Sequence, residues 1–137
     1  MTTEDEHKTI QDELEEDINE KINRGIIGKR QKLIGFSTSE ASANLFARLL
    51  HKLKLISPGF NVNHRFFASM EKAKDKFDFD FQNNVEILGL LVKQEQYRDK
   101  LCYGKSKDES LVKEAIGNYF KLKELIEKEL KEENGKK

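Results

Sequence analysis

The chain has 137 residues, 36% of them hydrophobic and 36% charged, and this length suits a single domain. One proline and no tryptophan argue against a turn-rich β-sandwich, and the single cysteine, Cys102, excludes an internal disulfide and a multi-thiolate metal site. No apolar run approaches the roughly 18 residues of a membrane span, and the acidic N-terminus is unlike a signal peptide. We therefore expect a soluble, cytoplasmic helical domain that makes no membrane contact.

The formal net charge is zero, but the charges are unevenly placed. Residues 1–20 hold nine acids and one lysine, whereas residues 21–54 hold eight bases and one acid. A local basic stretch could attract nucleic acid or phosphate groups. Alternatively, the acidic and basic stretches neutralise each other within the fold or across a dimer, because charge runs on helices are usually solvated faces.

An acidic first helix is predicted for residues 5–33. Its apolar residues recur every four positions, which is typical of an amphipathic helix. They are Ile10, Leu14, Ile18, Ile22 and Ile26. Acids crowd the start of this segment and Lys29, Arg30 and Lys32 crowd its end, which suits the helix dipole. Two internal glycines weaken the last turns, and Gly35 is expected to close the segment.

A second helix is predicted from Ser37, because Ser37 and Glu40 have the spacing of a capping box. The broad apolar face behind it comprises Ala41, Leu45, Phe46, Leu49, Leu50 and Leu53. The Ser-Pro-Gly sequence at residues 57–59 ends this helix. A third helix follows, capped by Asn61 or Asn63. Its apolar residues are Phe66, Phe67, Met70 and Ala73.

The remaining chain contains two further helices. Residues 77–81 alternate Phe and Asp like a strand, but this run is too short and isolated for a sheet, so we interpret it as an aromatic-anchored connection. The fourth helix runs from Val85 to Leu101 and is closed by Gly104. A second capping box, Ser106 with Glu109, opens the fifth helix, and residues 133–137 form a frayed tail. The sequence therefore predicts an all-α, up-and-down bundle of four to five helices.

Most catalytic and cofactor motifs are absent. The three histidines, His7, His51 and His64, are far apart and lack metal-ligand spacing, so no metal site is expected. Residues 25–30 superficially suggest a phosphate loop, but they lack its spacing and no strand precedes them. Cys102 is expected to be a packing residue, because no base accompanies it. We expect no cofactor.

One polar stretch stands out at residues 97–104, Tyr-Arg-Asp-Lys-Leu-Cys-Tyr-Gly. Tyr103 lies five residues after Arg98, about one and a half helical turns away. A purely structural interpretation is also open, in which this is a helix end rich in lysine and the arginine pairs with an acid.

From about Ser39 to Leu130, some two thirds of the chain, the sequence resembles the HEPN domain, a helical bundle found in prokaryotic toxin–antitoxin pairs. Residues 41–50 are similar to that family's small-and-aromatic second helix. The segment Asn63–Phe67, after a Pro-Gly turn, is similar to its following helix start, which contains a histidine. Residues 97–104 and the capped last helix match the order of its motif-bearing and closing helices.

Ribonuclease members of this family use an arginine, a polar neighbour, four to six intervening positions and a histidine. Arg98 and Asp99 match the first part, but Tyr103 stands where the histidine would be. The resemblance therefore does not carry catalysis over at that position, because a tyrosine with an ordinary pKa near 10 is poorly suited to proton transfer at neutral pH. His64 could replace the missing group only if the fold places it beside Arg98.

Three functions follow as hypotheses. The first is a non-catalytic or weakly catalytic HEPN-like homodimer that binds a nucleotide, RNA or a partner such as a minimal nucleotidyltransferase on a separate chain. Its ligand contacts would be Arg98, Lys100, Lys105 and His64. The second is a metal-independent endoribonuclease that uses Arg98, Asp99, Tyr103 and His64. The third is a helical interaction module without a ligand pocket, in which Arg98 belongs to a structural ion pair.

Overall fold

The computed structural model describes residues 3–135, which form five α-helices and two short 3₁₀ helices, with no strand in this range. The α-helices are α1 (Glu4–Asn23), α2 (Gln31–Lys52), α3 (Met70–Lys76), α4 (Asn84–Cys102) and α5 (Glu109–Gly135). The 3₁₀ helices are Ile27–Lys29 and His64–Phe67. The predicted all-α helical bundle is confirmed. None of these helices is long and apolar enough to cross a membrane.

Helix α2 lies at the centre of the bundle and packs against α1, α4 and α5. Most of its residues are buried, including small ones such as Ala43 and Ala47 that let neighbouring helices approach closely. A helix that is apolar on nearly all sides must be surrounded to keep its surface from water. The core around it includes Leu45, Leu49 and Leu50 of α2, Leu91 of α4 and Leu122 of α5.

An aromatic cluster joins α2 to the segment between α2 and α4. The ring of Phe46 in α2 lies 5.1 Å from that of Phe77, 5.9 Å from that of Phe67 and 6.1 Å from that of Phe81, measured between ring centroids. Residues 77–81 form no strand, and Phe77 is fully buried, so the prediction of an aromatic-anchored connection is confirmed.

The predicted first helix, residues 5–33, is too long. Helix α1 ends at Asn23, because the backbone N–H of Arg24 still bonds Glu20 while Gly25 turns into the left-handed region at φ +66°. The N–H of Ile26 then bonds back to the carbonyl of Lys21, which closes the helix end. Residues 24–30 are therefore a basic connection and not the end of an acidic helix.

The predicted start of the second helix at Ser37 is also wrong. Helix α2 begins at Gln31, and Gly35 lies inside it, against Leu101 of α4, where it does not end a segment. Ser37 and Glu40 are interior helix positions whose side chains contact other helices, so they form no capping box.

The third predicted helix is two helices. Asn63 caps the 3₁₀ helix by accepting a hydrogen bond from the N–H of Arg65, and Ser69 caps α3 in the same way through Lys72. The fourth helix and its closing Gly104, at φ +79°, are confirmed.

The start and end of α5 also differ from the prediction. Asp108, not Ser106, accepts a hydrogen bond from the first turn of α5, at the N–H of Ser110. The predicted frayed tail is helical at residues 133–135, and residues 136 and 137 lie outside the described range.

A chain of polar contacts attaches the acidic helix α1 to the bundle. The Arg48 guanidinium donates to Gln11 Oε1 (2.7 Å), Gln11 Nε2 donates to the Tyr119 hydroxyl (3.2 Å), and that hydroxyl donates to Glu15 (3.1 Å). Lys123 of α5 also pairs with Glu15. Burial, opposed by the hydrogen bond from Gln11, raises the pKa of Tyr119, so the hydroxyl keeps its proton as a donor.

Two histidine rings stack where α1 begins and α2 ends. His7 Nδ1 lies 2.7 Å from the Asn44 side-chain oxygen, and its ring centroid is 5.3 Å from that of His51. The Nε2 atoms of both rings are buried and have no hydrogen-bond partner among residues 3–135. Burial lowers the pKa of His51, positive charge on His7 lowers it further, and the carboxylate of Glu4 opposes both effects.

This pair predicts a loss of stability in mild acid. As the pH falls below the ordinary histidine pKa of 6.5, the unfolded chain takes up a proton at His51 that the folded chain resists, so the free energy of unfolding decreases. The loss is less than about 1 kcal/mol, because His51 is only half-buried and solvent screens part of the effect.

Replacing His51 by Phe keeps the stacked ring and removes the titration, so we expect a smaller loss of stability between pH 7.5 and pH 5.5 than in the unchanged protein. Urea unfolding of both proteins at the two pH values measures the difference. Equal losses would show that His51 titrates alike in the folded and unfolded chains.

Candidate functional site

Arg98 lies near the end of α4, in contact with the N-terminal half of α2. Its guanidinium donates hydrogen bonds to Glu40 Oε1 at 2.8 Å and to Ser39 Oγ at 3.1 Å. The guanidinium carbon also lies 5.2 Å from the centroid of the Phe36 ring. The side chain of Arg98 is only 12% exposed, so it is fixed in place between the two helices.

The close approach of α4 to α2 depends on Gly35. A β-carbon added there would lie 2.9 Å from the Leu101 Cβ and 3.1 Å from the Cys102 sulfur. Because Gly35 has no side chain, the last turns of α4 can rest directly on α2. Arg98, one turn before Leu101, is thereby brought within reach of Phe36 and Glu40.

His64 is held by a carboxylate from the same helix as Arg98. Its Nδ1 lies 2.9 and 3.0 Å from the two carboxylate oxygens of Glu95, which is one helical turn before Arg98. Asn63, which caps the 3₁₀ helix, fixes the backbone that presents His64. The fold thus brings His64 to the face of α4 that carries Arg98.

The electrostatics of this cluster link its members. Burial is the main cause that raises the pKa of Glu95, and the negative charge of Asp99 raises it further. The hydrogen bond and charge of His64, and the charge of Arg98, act in the opposite direction. These charges therefore form one interacting group of four residues, Glu95, Arg98, Asp99 and His64. Within it, Glu95 orients the His64 imidazole, while that imidazole and Arg98 stabilise the Glu95 carboxylate.

The arrangement can hold an anion or move a proton. With Nδ1 of His64 occupied by Glu95, Nε2 has no hydrogen-bond partner within residues 3–135, and the side chain is 22% exposed. An imidazole oriented by a carboxylate is the arrangement that general acid–base catalysis uses. A protonated imidazole beside an arginine is equally suited to contact a phosphate group.

Lys100, Tyr103 and Lys105, the remaining predicted site residues, lie apart from this cluster. Asp99 and Lys100 are exposed on α4, and Tyr103, 65% exposed, follows the end of that helix. Lys105 lies beyond Leu101, where it lines a cleft together with Lys29 and other residues at the start of α2. The predicted ligand set is therefore divided between the His64–Arg98 cluster, the exposed surface of α4 and this cleft.

The sequence analysis missed four members of the cluster: Phe36, Ser39, Glu40 and Glu95. Glu40 was assigned to a helix cap with Ser37, although Glu40 and Ser39 are the partners of Arg98. The signal that could have found Glu95 is its spacing, because positions 95, 98 and 102 lie on one face of a helix. A buried carboxylate on that face needs a partner, and Arg98 alone does not supply it.

Metal and thiol chemistry find no support in the cluster. Within the described part of the chain, no group of three or more His, Cys, Asp or Glu side chains could hold a metal ion. Cys102 is half-buried, and its sulfur lies 3.4 Å from the carbonyl oxygen of Lys32. Burial raises the pKa of the thiol, which disfavours the reactive thiolate and agrees with a packing role.

Comparison of the chain with models of protein families, with curated proteins and with solved structures gives no match. The resemblance to the HEPN domain therefore stays a prediction, and the functional argument depends on the geometry of the chain itself.

Proposed function

We propose that the chain is a non-catalytic or weakly catalytic HEPN-like domain that binds single-stranded RNA or a nucleotide on the surface formed by α2 and α4. The observation that carries the proposal is the contact between the Arg98 guanidinium and the ring of Phe36. Phe36 is 44% exposed, so this ring is accessible from the solvent. An arginine held against an accessible aromatic ring is the pairing that single-strand sites use, because the ring stacks on a base while the cation contacts phosphate.

Exposed apolar side chains on α2 and just after α4 support the proposal. Leu33 is 51% exposed and precedes Phe36 by one turn, so both lie on one face of α2. Tyr103 is the most exposed of the large hydrophobic side chains that lie at the surface and follows the end of α4. Side chains of this kind cost free energy in water and would be covered by the bases of a bound strand.

In the free protein, Glu40 occupies the guanidinium of Arg98. A phosphate that binds Arg98 must take over this hydrogen bond, so Glu40 competes with the ligand. The Glu40 carboxylate is about one third exposed, which leaves it room to move away from Arg98. This competition favours moderate affinity and keeps the charge of Arg98 balanced when no ligand is bound.

The experiment is fluorescence anisotropy of labelled single-stranded RNA with purified protein in EDTA. Phe36→Ala removes the stacking ring from the surface, and we expect a loss of affinity of about tenfold or more. Val85→Ala is the matched control, because Val85 is an apolar residue of α4 that is 58% exposed and lies about 20 Å along the helix axis from Arg98. Absence of binding by the unchanged protein, or equal effects of the two variants, would contradict the proposal.

A second candidate, a metal-independent endoribonuclease, is favoured by the hydrogen bond between His64 and Glu95. The oriented imidazole could take the place of the histidine that is missing at Tyr103, with Arg98 beside the scissile phosphate. Gel analysis of the same RNA mixtures tests it: cleavage in EDTA that is abolished by both His64→Ala and Arg98→Ala would support catalysis. Intact RNA with the unchanged protein would leave binding as the function.

The resemblance to the HEPN domain supports two partner proposals, a second copy of the chain and a minimal nucleotidyltransferase on a separate chain. A cytoplasmic location belongs to the same proposal. Light scattering of the purified protein tests for the dimer, and co-purification with the product of a neighbouring gene tests for the nucleotidyltransferase.

A further inference from the structure

A cleft of about 190 Å³ lies between the start of α2 and the loop that follows α4. Four basic residues line it, Lys29, Arg30 and Lys32 from one segment and Lys105 from the other, and Leu101 and Ser106 also contribute. No acidic residue is among the residues that line the cleft. Two segments that are distant in sequence therefore direct positive charge into one concave site.

The four cations are not paired with carboxylates in the described part of the chain. Lys8, Lys21, Arg24, Arg98 and Lys123 each lie within 4.0 Å of a carboxylate oxygen, but among the described residues none of the four does. Like charges gathered in a cleft repel one another and strengthen the local positive potential.

Within residues 3–135, no acid of helix α1 forms an ion pair with these four cations. The acids of α1 pair with bases of α1 itself and with Lys123 of α5. Glu109 is an acid at the rim, where its side chain lies against Gly28. The prediction that the acidic and basic stretches neutralise each other within the fold is therefore not met at residues 29–32.

The walls of the cleft are fixed in the free protein. The Gln31 side chain is buried and donates to the carbonyl of Lys107 (2.6 Å) while accepting from the backbone N–H of the same residue (2.8 Å). These two bonds join segments that are 76 positions apart. Because the walls are already ordered, an anion would bind without the entropic cost of bringing them together.

We propose that this cleft is a subsite for a backbone phosphate of single-stranded RNA, one step along the strand from a base stacked on Phe36. This inference rests on the proposed function and defines its ligand as an oligonucleotide, which is longer than a mononucleotide. Leu33 belongs both to the cleft and to the exposed face that carries Phe36. Leu101, at the edge of the cleft, is three residues after Arg98, about 5 Å along the axis of α4.

The test is the salt dependence of RNA affinity for a triple variant, Lys29→Gln, Lys32→Gln and Lys105→Gln. Each phosphate contact to a single strand contributes about −0.7 to the slope of log affinity against log salt concentration. If all three lysines contact phosphate, the slope becomes less negative by about 2, and affinity at low salt falls at least tenfold. The control variant, Lys72→Gln, Lys74→Gln and Lys131→Gln, changes the net charge equally at exposed lysines outside the cleft.

The outcomes separate the subsite from the proposed function. If Phe36→Ala weakens binding while the cleft variant and its control behave alike, the cleft proposal is overturned and the RNA-binding surface remains. If the unchanged protein binds no RNA, the proposed function fails, and thermal unfolding in pyrophosphate tests the cleft alone. If pyrophosphate raises the midpoint temperature of the unchanged protein but not that of the cleft variant, the cleft is a site for free phosphate groups only. That result would overturn the assignment to RNA.

Discussion

Replacing Phe46 by Ala is expected to lower the free energy of unfolding by about 3–5 kcal/mol. The ring is fully buried and is in contact with the rings of Phe67, Phe77 and Phe81. Its removal therefore loses apolar contacts on several sides and leaves a cavity that the fixed backbone of α2 cannot close. Because Phe67 belongs to the 3₁₀ helix that carries His64, the candidate site loses support together with the core.

Equilibrium unfolding in urea measures this loss. Phe36→Ala is the matched control, because it removes the same side chain from the same helix at a position that is 44% exposed. We expect it to change the free energy of unfolding by less than about 1 kcal/mol. A loss below about 1 kcal/mol for Phe46→Ala would show that the aromatic cluster can repack, contrary to the contacts around the ring.

The elements that the sequence predicted well are long and regular. Helix α4 lies within one residue of its predicted span, and the break after it falls at Gly104 as expected. The apolar residues of α5 recur at helical spacing over many turns, so the helix was predicted although the capping box assigned to its start was wrong. The connection at residues 77–81 was predicted because a short isolated alternation cannot form a sheet, and Phe77 is indeed buried without a strand.

Local sequence patterns could not predict the boundary between α1 and α2. The apolar stripe of the first helix continues through Ile22 and Ile26, although the helix ends between them. Three nearby glycines each had the chemistry to end a helix. Gly25 takes the left-handed conformation, whereas Gly35 serves the packing of α4. Which glycine has which role depends on tertiary contacts that sequence spacing does not contain.

The candidate site was predicted in pieces. Arg98 and His64 were each singled out, but Glu95, which joins them, is 31 residues from His64 in sequence. The pairing of Glu40 with Arg98 spans 58 residues and competes with the local capping role that the sequence suggested. Lys105 was predicted as a ligand contact beside Arg98, whereas Lys29 was seen only as part of the basic end of the first helix. Contacts between distant segments decide all of these relations, so residue patterns could propose the participants and not their arrangement.

Replacing Gly35 by Ala is expected to destabilise the protein by about 1–3 kcal/mol, although alanine is the better helix former. The new β-carbon would lie 2.9 Å from the Leu101 Cβ, an atom fixed to its backbone, so α4 must move away from α2. Gly89→Ala and Gly117→Ala are matched controls inside α4 and α5. Both positions face open space, so each control should gain up to about 1 kcal/mol.

The same displacement would reach the candidate site, because Leu101 contributes to the basic cleft and Arg98 is one turn away. We therefore expect Gly35→Ala to weaken RNA binding at temperatures where the variant is still folded, and to make the half-buried Cys102 react faster with a thiol reagent. Urea unfolding, anisotropy and thiol labelling of the three glycine variants measure these effects. A Gly35→Ala variant that is as stable and as slowly labelled as the controls would mean that the two helices have room for a methyl group. In that case, close packing at Gly35 could not be what brings Arg98 to Phe36.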